Sequence, residues 1–359
     1  MRIQSVTFEN FRLLRDTVLP LEPLTVIVGP NNSGKTSALD ALALLAADTS
    51  AGVRNALPYG ADEERTVTAL TAAVAEDATG PGSVFEMRAV PAATVGRPFG
   101  GRVGGSLTVL REGLNSADQV RALRLLSSYR SVSLIPAHMR RASVVSSDAV
   151  LASDGANIAA VLDRLRDTSP ERFEALNRDL GEWLPEFDRV LFDVPADGAK
   201  TVSLRTRRGG HPVPTLSLSE GTLGALGLLT VVHTGAAPAV VGIEEPERGI
   251  HPRLLRNVFD GLLRMAYPAE NGSDQPPQQV VVTTHSPYLL DLFRDIPECV
   301  VIAERVGDAA TFARLADHPD VDDIVMAGQL GDAWYSGVLG GVPVGPERPT
   351  IYPPTVAAA

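Results

Sequence analysis

LTVIVGPNNSGKTSALDALALLAA, residues 24–47, joins an apolar strand-like run, a glycine loop and a helix in one unbroken stretch. Leu24–Val28 is apolar enough for a strand buried on both faces, and the apolar residues Leu39, Leu42, Leu45 and Ala46 recur at helical spacing. Between them, Gly29 to Thr36 fits G-x-x-x-x-G-K-[ST] in full. Glycines at those positions let backbone N–H groups wrap phosphate oxygens at a helix N-terminus. Lys35 is placed to reach the β- and γ-phosphates, and the Thr36 hydroxyl to ligate Mg²⁺. The expected nucleotide contacts are Gly29, Asn31, Asn32, Ser33, Gly34, Lys35, Thr36 and Ser37, with ATP and Mg²⁺ as the bound species. Kinases, GTPases, helicases and transport motors all use such a loop, so its task must be read further along the chain.

Working outward, the other strand-like runs are RIQSVTF, VFEMRAV, SLTVLRE, AVVGI and VVVTT, and with the intervening helical patterns they specify an α/β chain. We expect a nucleotide-binding domain in two parts, 1–130 and 216–336, interrupted by a helical and strand insertion at 131–215 and followed by a Gly/Pro-rich tail, 337–359. In the insertion, Ile158, Leu162 and Leu165 share one helical face, and Phe173, Leu176, Leu180 and Leu184 another. Each helix has room for three or four turns, which gives a short arm rather than a long coiled coil.

Composition narrows the setting. With 359 residues, 44% hydrophobic and 21% charged, the chain is long enough for one large domain with an insertion and is ordinary for a globular protein. The start lacks the pattern of a secretory signal, no run of about 18 uncharged apolar residues is present, and one cysteine, Cys299, permits no intrachain disulfide. A cytoplasmic protein with no membrane contact is the expectation. A net charge of −11 argues against the whole surface binding nucleic acid, but two islands lack acids altogether. Gln119–Ser147 carries Arg121, Arg124, Arg130, Arg140 and Arg141, and Gly198–Ser219 carries Lys200, Arg205, Arg207 and Arg208; they are candidates for phosphates or for structural ion pairs.

Three later motifs bear on chemistry. AVVGIEEPERGIHP ends a buried strand in Glu244, placed for the Mg²⁺ shell, and Glu245, placed to orient and deprotonate an attacking water. VVVTTHSP brings His285 to the end of another apolar strand about forty residues on, where its ring could touch the γ-phosphate. In LSLSEGTLGAL, Ser219 and Gly221 stand at a helix N-terminus and form a second anion site far from the first in sequence. One γ-phosphate does not need two sites in one chain. A two-fold dimer in which the serine loop of one protomer closes on the triphosphate at Lys35 of the other uses both.

This ordered set, phosphate loop, LSEGT, IEEPE and TTHSP, resembles the ABC class of ATPases. Within it the chain is similar to the soluble OLD/RecF-like ATPases, through IQSVTFENFRLLRDTVLPLEPLTVIVGPNNSGKTSALDAL, EEPERGIHPRLL and TTHSPYLLD. The resemblance covers roughly residues 1 to 305. It implies a P-loop NTPase fold of ABC type, a mixed sheet with flanking helices, and an ATP-dependent dimer acting as a switch or clamp. It further implies work on DNA in repair or anti-phage defence, often beside a nuclease. Two departures matter. About fifty residues follow VVIAER, too few for the C-terminal metal-binding domain of overcoming-lysogenization nucleases, so nuclease activity is not expected here and an effector would be a separate protein. Glu244 stands where most ABC proteins have aspartate. Gln119 is the one glutamine weighed for a Q-loop. The alternative to a hydrolysing switch is a scaffold or sensor with negligible turnover; a transporter subunit fits less well, and a P-loop kinase least, since no acceptor site can be named.

Overall fold

The computed structural model describes residues 1–47, 68–75, 83–90, 104–110, 116–193, 198–234, 240–273, 275–328 and 330–339. In chain order the strands and helices are β1 (Arg2–Phe11), β2 (Leu14–Pro20), β3 (Leu24–Val28), α1 (Lys35–Ala47), β4 (Thr68–Ala75), β5 (Ser83–Val90), β6 (Gly104–Leu110), α2 (Ser116–Ser127), β7 (Arg130–Val132) and α3 (Pro136–Met139). There follow α4 (Ile158–Thr168), α5 (Pro170–Trp183), β8 (Phe187–Asp193), β9 (Thr201–Thr206), β10 (Pro212–Pro214), α6 (Glu220–His233), β11 (Val240–Glu244), α7 (Leu255–Ala266), β12 (Gln279–Thr284), α8 (Pro287–Leu290), β13 (Val300–Val306), β14 (Ala309–Arg314), α9 (Val321–Ala327) and α10 (Leu330–Tyr335).

The central sheet has the order β14-β13-β3-β12-β11-β7, parallel except for the antiparallel edge pair β13–β14. Its inner strands β3, β12 and β11 are buried along nearly their whole length because both faces are covered, and the period of two assigns their side chains to different cores. Leu24, Val26, Val28, Val280, Val282, Val241 and Ile243 enter one core, with α5, α6 and α7; Ile27, Val281, Val240 and Val301 enter the other, with α1, α2 and the antiparallel sheet β2-β1-β4-β5-β6. Gln279 ties that sheet to β12: its Oε1 accepts from the Ile3 N–H at 2.9 Å and its Nε2 donates to the Ile3 carbonyl at 2.6 Å. A third sheet, β10-β9-β8, is antiparallel.

The two helices read as an inserted arm are α4 and α5, as their periodicity indicates, and both are built into the first core. Ile158, Leu162, Leu165, Phe173, Leu176 and Leu180 are buried in the same cluster as the central strands, beside Leu226 and Leu229 of α6. Much of the basic islands is likewise structural. Lys200 Nζ lies 2.6 Å from both carboxylate oxygens of the buried Asp163, Arg205 pairs with Asp188 at 2.8 Å, and Arg207 donates to the carbonyls of Gly181 and Pro185 at 3.0 Å each. Arg140 donates to the Leu218 carbonyl at 3.0 Å, while Arg141 and Arg208 remain exposed. Gln119 lies inside α2, not in a loop after a strand. Of the tail expected from Gly337, residues 340–359 lie outside the described residues. Among the described residues no helix is long and apolar enough to cross a membrane.

Candidate functional site

The parallel strands β3, β11 and β12 end side by side, and the loops that leave their carboxyl ends make the site. After β3, Gly29 is required by crowding: a Cβ there would meet the Ala303 carbonyl at 2.4 Å and the Ser33 hydroxyl at 2.6 Å. Asn32 and Gly34 take positive φ, 64° and 90°, which curls the loop so that α1 starts at Lys35. The Lys35 side chain is buried and folds back on its own loop, donating to the carbonyls of Gly29 at 2.7 Å and Pro30 at 2.8 Å. Burial holds its ammonium below the ordinary pKa, opposed by the carboxylates of Glu245, Glu247 and Glu244. The Ser33 hydroxyl is buried without a partner, an orphan of the kind expected where a polar ligand completes a loop.

Glu244 closes β11, and its Oε1 accepts from the Thr36 hydroxyl at 2.6 Å. The next residue, Glu245, sits at φ 44°, a strained backbone for a side chain that large. Its N–H donates to the Thr283 carbonyl at 3.0 Å, which holds the turn against the end of β12. That geometry turns Glu245 Oε1 to within 3.0 Å of Nδ1 of His285, just beyond β12. A cavity of about 290 Å³ is lined by Asn31, Asn32, Ser33, Gly34, Lys35 and Thr36, together with Ser37, Leu13, Glu244, Glu245 and Thr283.

The structure therefore brings together the phosphate loop, the acidic pair and, through Glu245, His285. Ser219 and Gly221 do not line that cavity. Ser219 is exposed and caps α6, accepting from the Thr222 N–H at 3.1 Å, and the Gly221 position abuts the Gly249 carbonyl. Glu220, at the start of α6, instead lines a neighbouring cavity of about 430 Å³ with Glu244, Glu245 and Gly249.

Sequence reasoning passed over Glu247. Its Oε1 accepts from the Thr284 hydroxyl at 2.6 Å and from the His285 N–H at 3.4 Å, while Oε2 is buried without a partner. Burial pushes this carboxyl above its ordinary pKa, and the Thr284 hydroxyl bond works against that shift. The signal was present in the third acid of EEPE, but only the tertiary fold shows that it grips the histidine loop. Leu13, from the β1–β2 turn, had no sequence signal for its place in the cavity wall.

The residues present fit a nucleotide with Mg²⁺. A hydroxyl and a carboxylate at 2.6 Å from each other are hard oxygen donors of the type Mg²⁺ takes with substrate phosphates, and it commonly uses only one or two protein ligands. Among the described residues no group of three or more His, Cys, Asp or Glu side chains is gathered for an all-protein metal centre.

A family model described as "AAA domain, putative AbiEii toxin, Type IV TA system" matches residues 107–291, and one described as "AAA ATPase domain" matches residues 1–77. The OLD nuclease of Thermus scotoductus (strain ATCC 700910 / SA-01) is 25% identical over 325 residues, which are 81% of this chain and 60% of that protein. This chain thus spans about 60% of that relative's length. Among solved structures, an Smc head bound to the C-winged helix domain of ScpA matches with a TM-score of 0.59 at 14% identity, over 87% of this chain and 98% of that one. The Smc head domain with an extended coiled coil, bound to the C-terminal domain of ScpA derived from Pyrococcus furiosus, matches with a TM-score of 0.55 at 12% identity, over 87% and 95%. At those identities the likeness is one of fold alone, that of an Smc head, with a central mixed sheet and flanking helices.

Proposed function

We propose, from the premise that this chain belongs to the AAA domain family whose model matches residues 107–291, that it hydrolyses ATP as an ABC-type switch that dimerises through composite nucleotide sites. The observation that carries the reading is the convergence of Lys35, Thr36, Glu244 and Glu245 in one cavity, with His285 bonded to Glu245. Lys35 leaves the carbonyls of Gly29 and Pro30 to bind the β- and γ-phosphates. Thr36 and Glu244 would hold Mg²⁺, which supplies charge neutralisation at the phosphates when bound. Glu245 orients the attacking water and accepts its proton, and His285 exchanges its bond to Glu245 for one to the γ-phosphate.

Ser219 and Gly221 complete the site from the partner protomer in this reading. What supports it is their position: an exposed helix N-terminus outside the cavity that holds Lys35. We extend the proposal to DNA as the substrate surface and to a separate effector such as a nuclease, on the strength of the similarity to an OLD nuclease. The exposed Arg124, Arg141 and Arg208 are candidates for phosphate contact.

The test is the mass of two variants by light scattering in ATP and Mg²⁺. Glu245→Gln keeps the shape of the site but removes the base, so it is expected to accumulate as a closed dimer; Lys35→Ala is expected to stay monomeric and bind no ATP. A Glu245→Gln protein that binds ATP yet remains a monomer overturns the composite site.

A further inference from the structure

A cavity of about 560 Å³ lies at the opposite end of the central sheet from the nucleotide site. Arg130, which starts β7, lines it and is paired with Val241 near the start of β11, and Thr234, just after α6, lines it too. Glu244 stands at the other end of β11, so the two cavities are separated by roughly one strand of five residues, about 15 Å. Among the described residues they share no lining residue.

Three guanidinium groups reach this cavity from three elements: Arg130 from β7, Arg164 from α4 and Arg172 from α5. Burial lowers the pKa of Arg130, and the Nε of Arg130 and of Arg164 is shielded from solvent without an acceptor. Among the described residues the Arg130 side chain has neither ion pair nor hydrogen bond. Arg164 donates from Nη1 to the Ala149 carbonyl at 3.1 Å, an acceptor without charge, and Arg172 donates from Nη2 to Gln275 Oε1 at 2.8 Å. Among the described residues the lining has one carboxylate, Asp148, which accepts from the Ser146 hydroxyl and feels Arg164 only as a minor influence.

Elsewhere this protein neutralises cations at partly buried positions. Lys200 and Arg166 share Asp163, Arg264 meets Asp179 at 2.7 Å, and Arg205 meets Asp188. Partly desolvated arginines such as Arg130 and Arg164, with no carboxylate bonded to them among the described residues, cost stability unless an anion joins them. Arginine forks match phosphoryl oxygens in particular. The cavity also has an apolar wall, Leu151, Val161 and Leu165, and the Ser169 hydroxyl at the start of α5 makes no capping bond. A bare anion would leave that apolar wall unused, whereas a planar ring would cover it.

We propose that this cavity is a second ligand site that takes a phosphorylated small molecule of mononucleotide size, its phosphoryl oxygens on Arg130 and Arg164 and its ring against Leu151 and Val161. It is independent of the reading of the nucleotide site. The experiment is calorimetric titration of the full chain, and of its Lys35→Ala, Arg130→Gln and Arg164→Gln variants, with AMP and separately with inorganic phosphate. AMP binding is expected to survive Lys35→Ala, to weaken about tenfold or more in each arginine variant, and to be tighter than that of phosphate. Phosphate binding as tight as AMP overturns the mononucleotide assignment. Loss of AMP in Lys35→Ala with no change in the arginine variants, or no binding up to about 10 mM, overturns the site. A second measurement leaves the arginines in place: the only native cysteine, Cys299, is buried, so Thr168→Cys at the cavity wall supplies the reactive thiol. AMP is expected to slow its maleimide labelling several-fold in the Lys35→Ala background, and unaltered labelling overturns the proposal.

Discussion

Gly221 has no room for a side chain. A Cβ would stand 2.4 Å from the Gly249 carbonyl, so Gly221→Ala must push the first turn of α6 away from the loop that carries Glu245 to Gly249. The expected cost is about 1–3 kcal/mol in stability, measured by urea denaturation. ATP hydrolysis should fall about tenfold or more while ATP binding at Lys35 is kept, because the displaced turn bears Ser219. Glu247 gives a second prediction at this scale. Its folded pKa is raised by burial, so its contribution to stability is fully present below the unfolded value and is lost as pH rises through the folded one. As pH rises above the ordinary carboxyl value of 4.5 the wild-type Tm should therefore fall relative to that of Glu247→Gln; thermal melts of both at each pH would show no change in the gap if the carboxyl were unshifted. The two residues differ in legibility. Gly221 was visible in LSEGT, whereas Glu247 looked like any third acid until β11 and β12 brought it beneath Thr284.

At the scale of elements, α6 couples two kinds of task. Its first turn is exposed and capped by Ser219, and from Leu223 to His233 every residue is buried. At its far end His233 Nε2 lies 2.7 Å from Asp179 of α5. Leu226 is fully buried in the core cluster that α6 shares with α5, α7 and the central strands, so Leu226→Ala is expected to cost about 2–5 kcal/mol, read from the urea midpoint. The periodicity of α4 and α5 identified both helices and the faces they bury. It could not say what they face. An apolar stripe states that a helix must be covered, but the cover is supplied by α6 and the three-stranded sheet, and an arm standing away from the domain carries the same stripe. The acid-free islands were ambiguous for a related reason: Asp163 and Asp188, which neutralise Lys200 and Arg205, lie 37 and 17 residues away in the chain.

For the whole molecule, the proposed division of the site between protomers would make turnover depend on association. Hydrolysis per chain is expected to rise with protein concentration and level off once dimers saturate, as followed by phosphate release over a dilution series with Lys35→Ala as the blank. A rate per chain that is constant over that range would place all the catalytic groups in one protomer. The sequence by itself determined the α/β class, the phosphate loop, the buried parallel strands and the acids and histidine at their ends. Those features are local: they need only the order of a strand, a turn and a helix, and the alternation that two-sided burial demands. The tertiary structure alone decided which motifs meet. It set Thr36 against Glu244 across 208 residues and Glu245 against His285 across 40, buried Glu247 under the histidine loop, and left Ser219 outside the cavity. It also gathered Arg130, Arg164 and Arg172 around one cavity. Such meetings follow from strand order and helix packing, which place residues distant in the chain within hydrogen-bonding reach and have no counterpart in local composition.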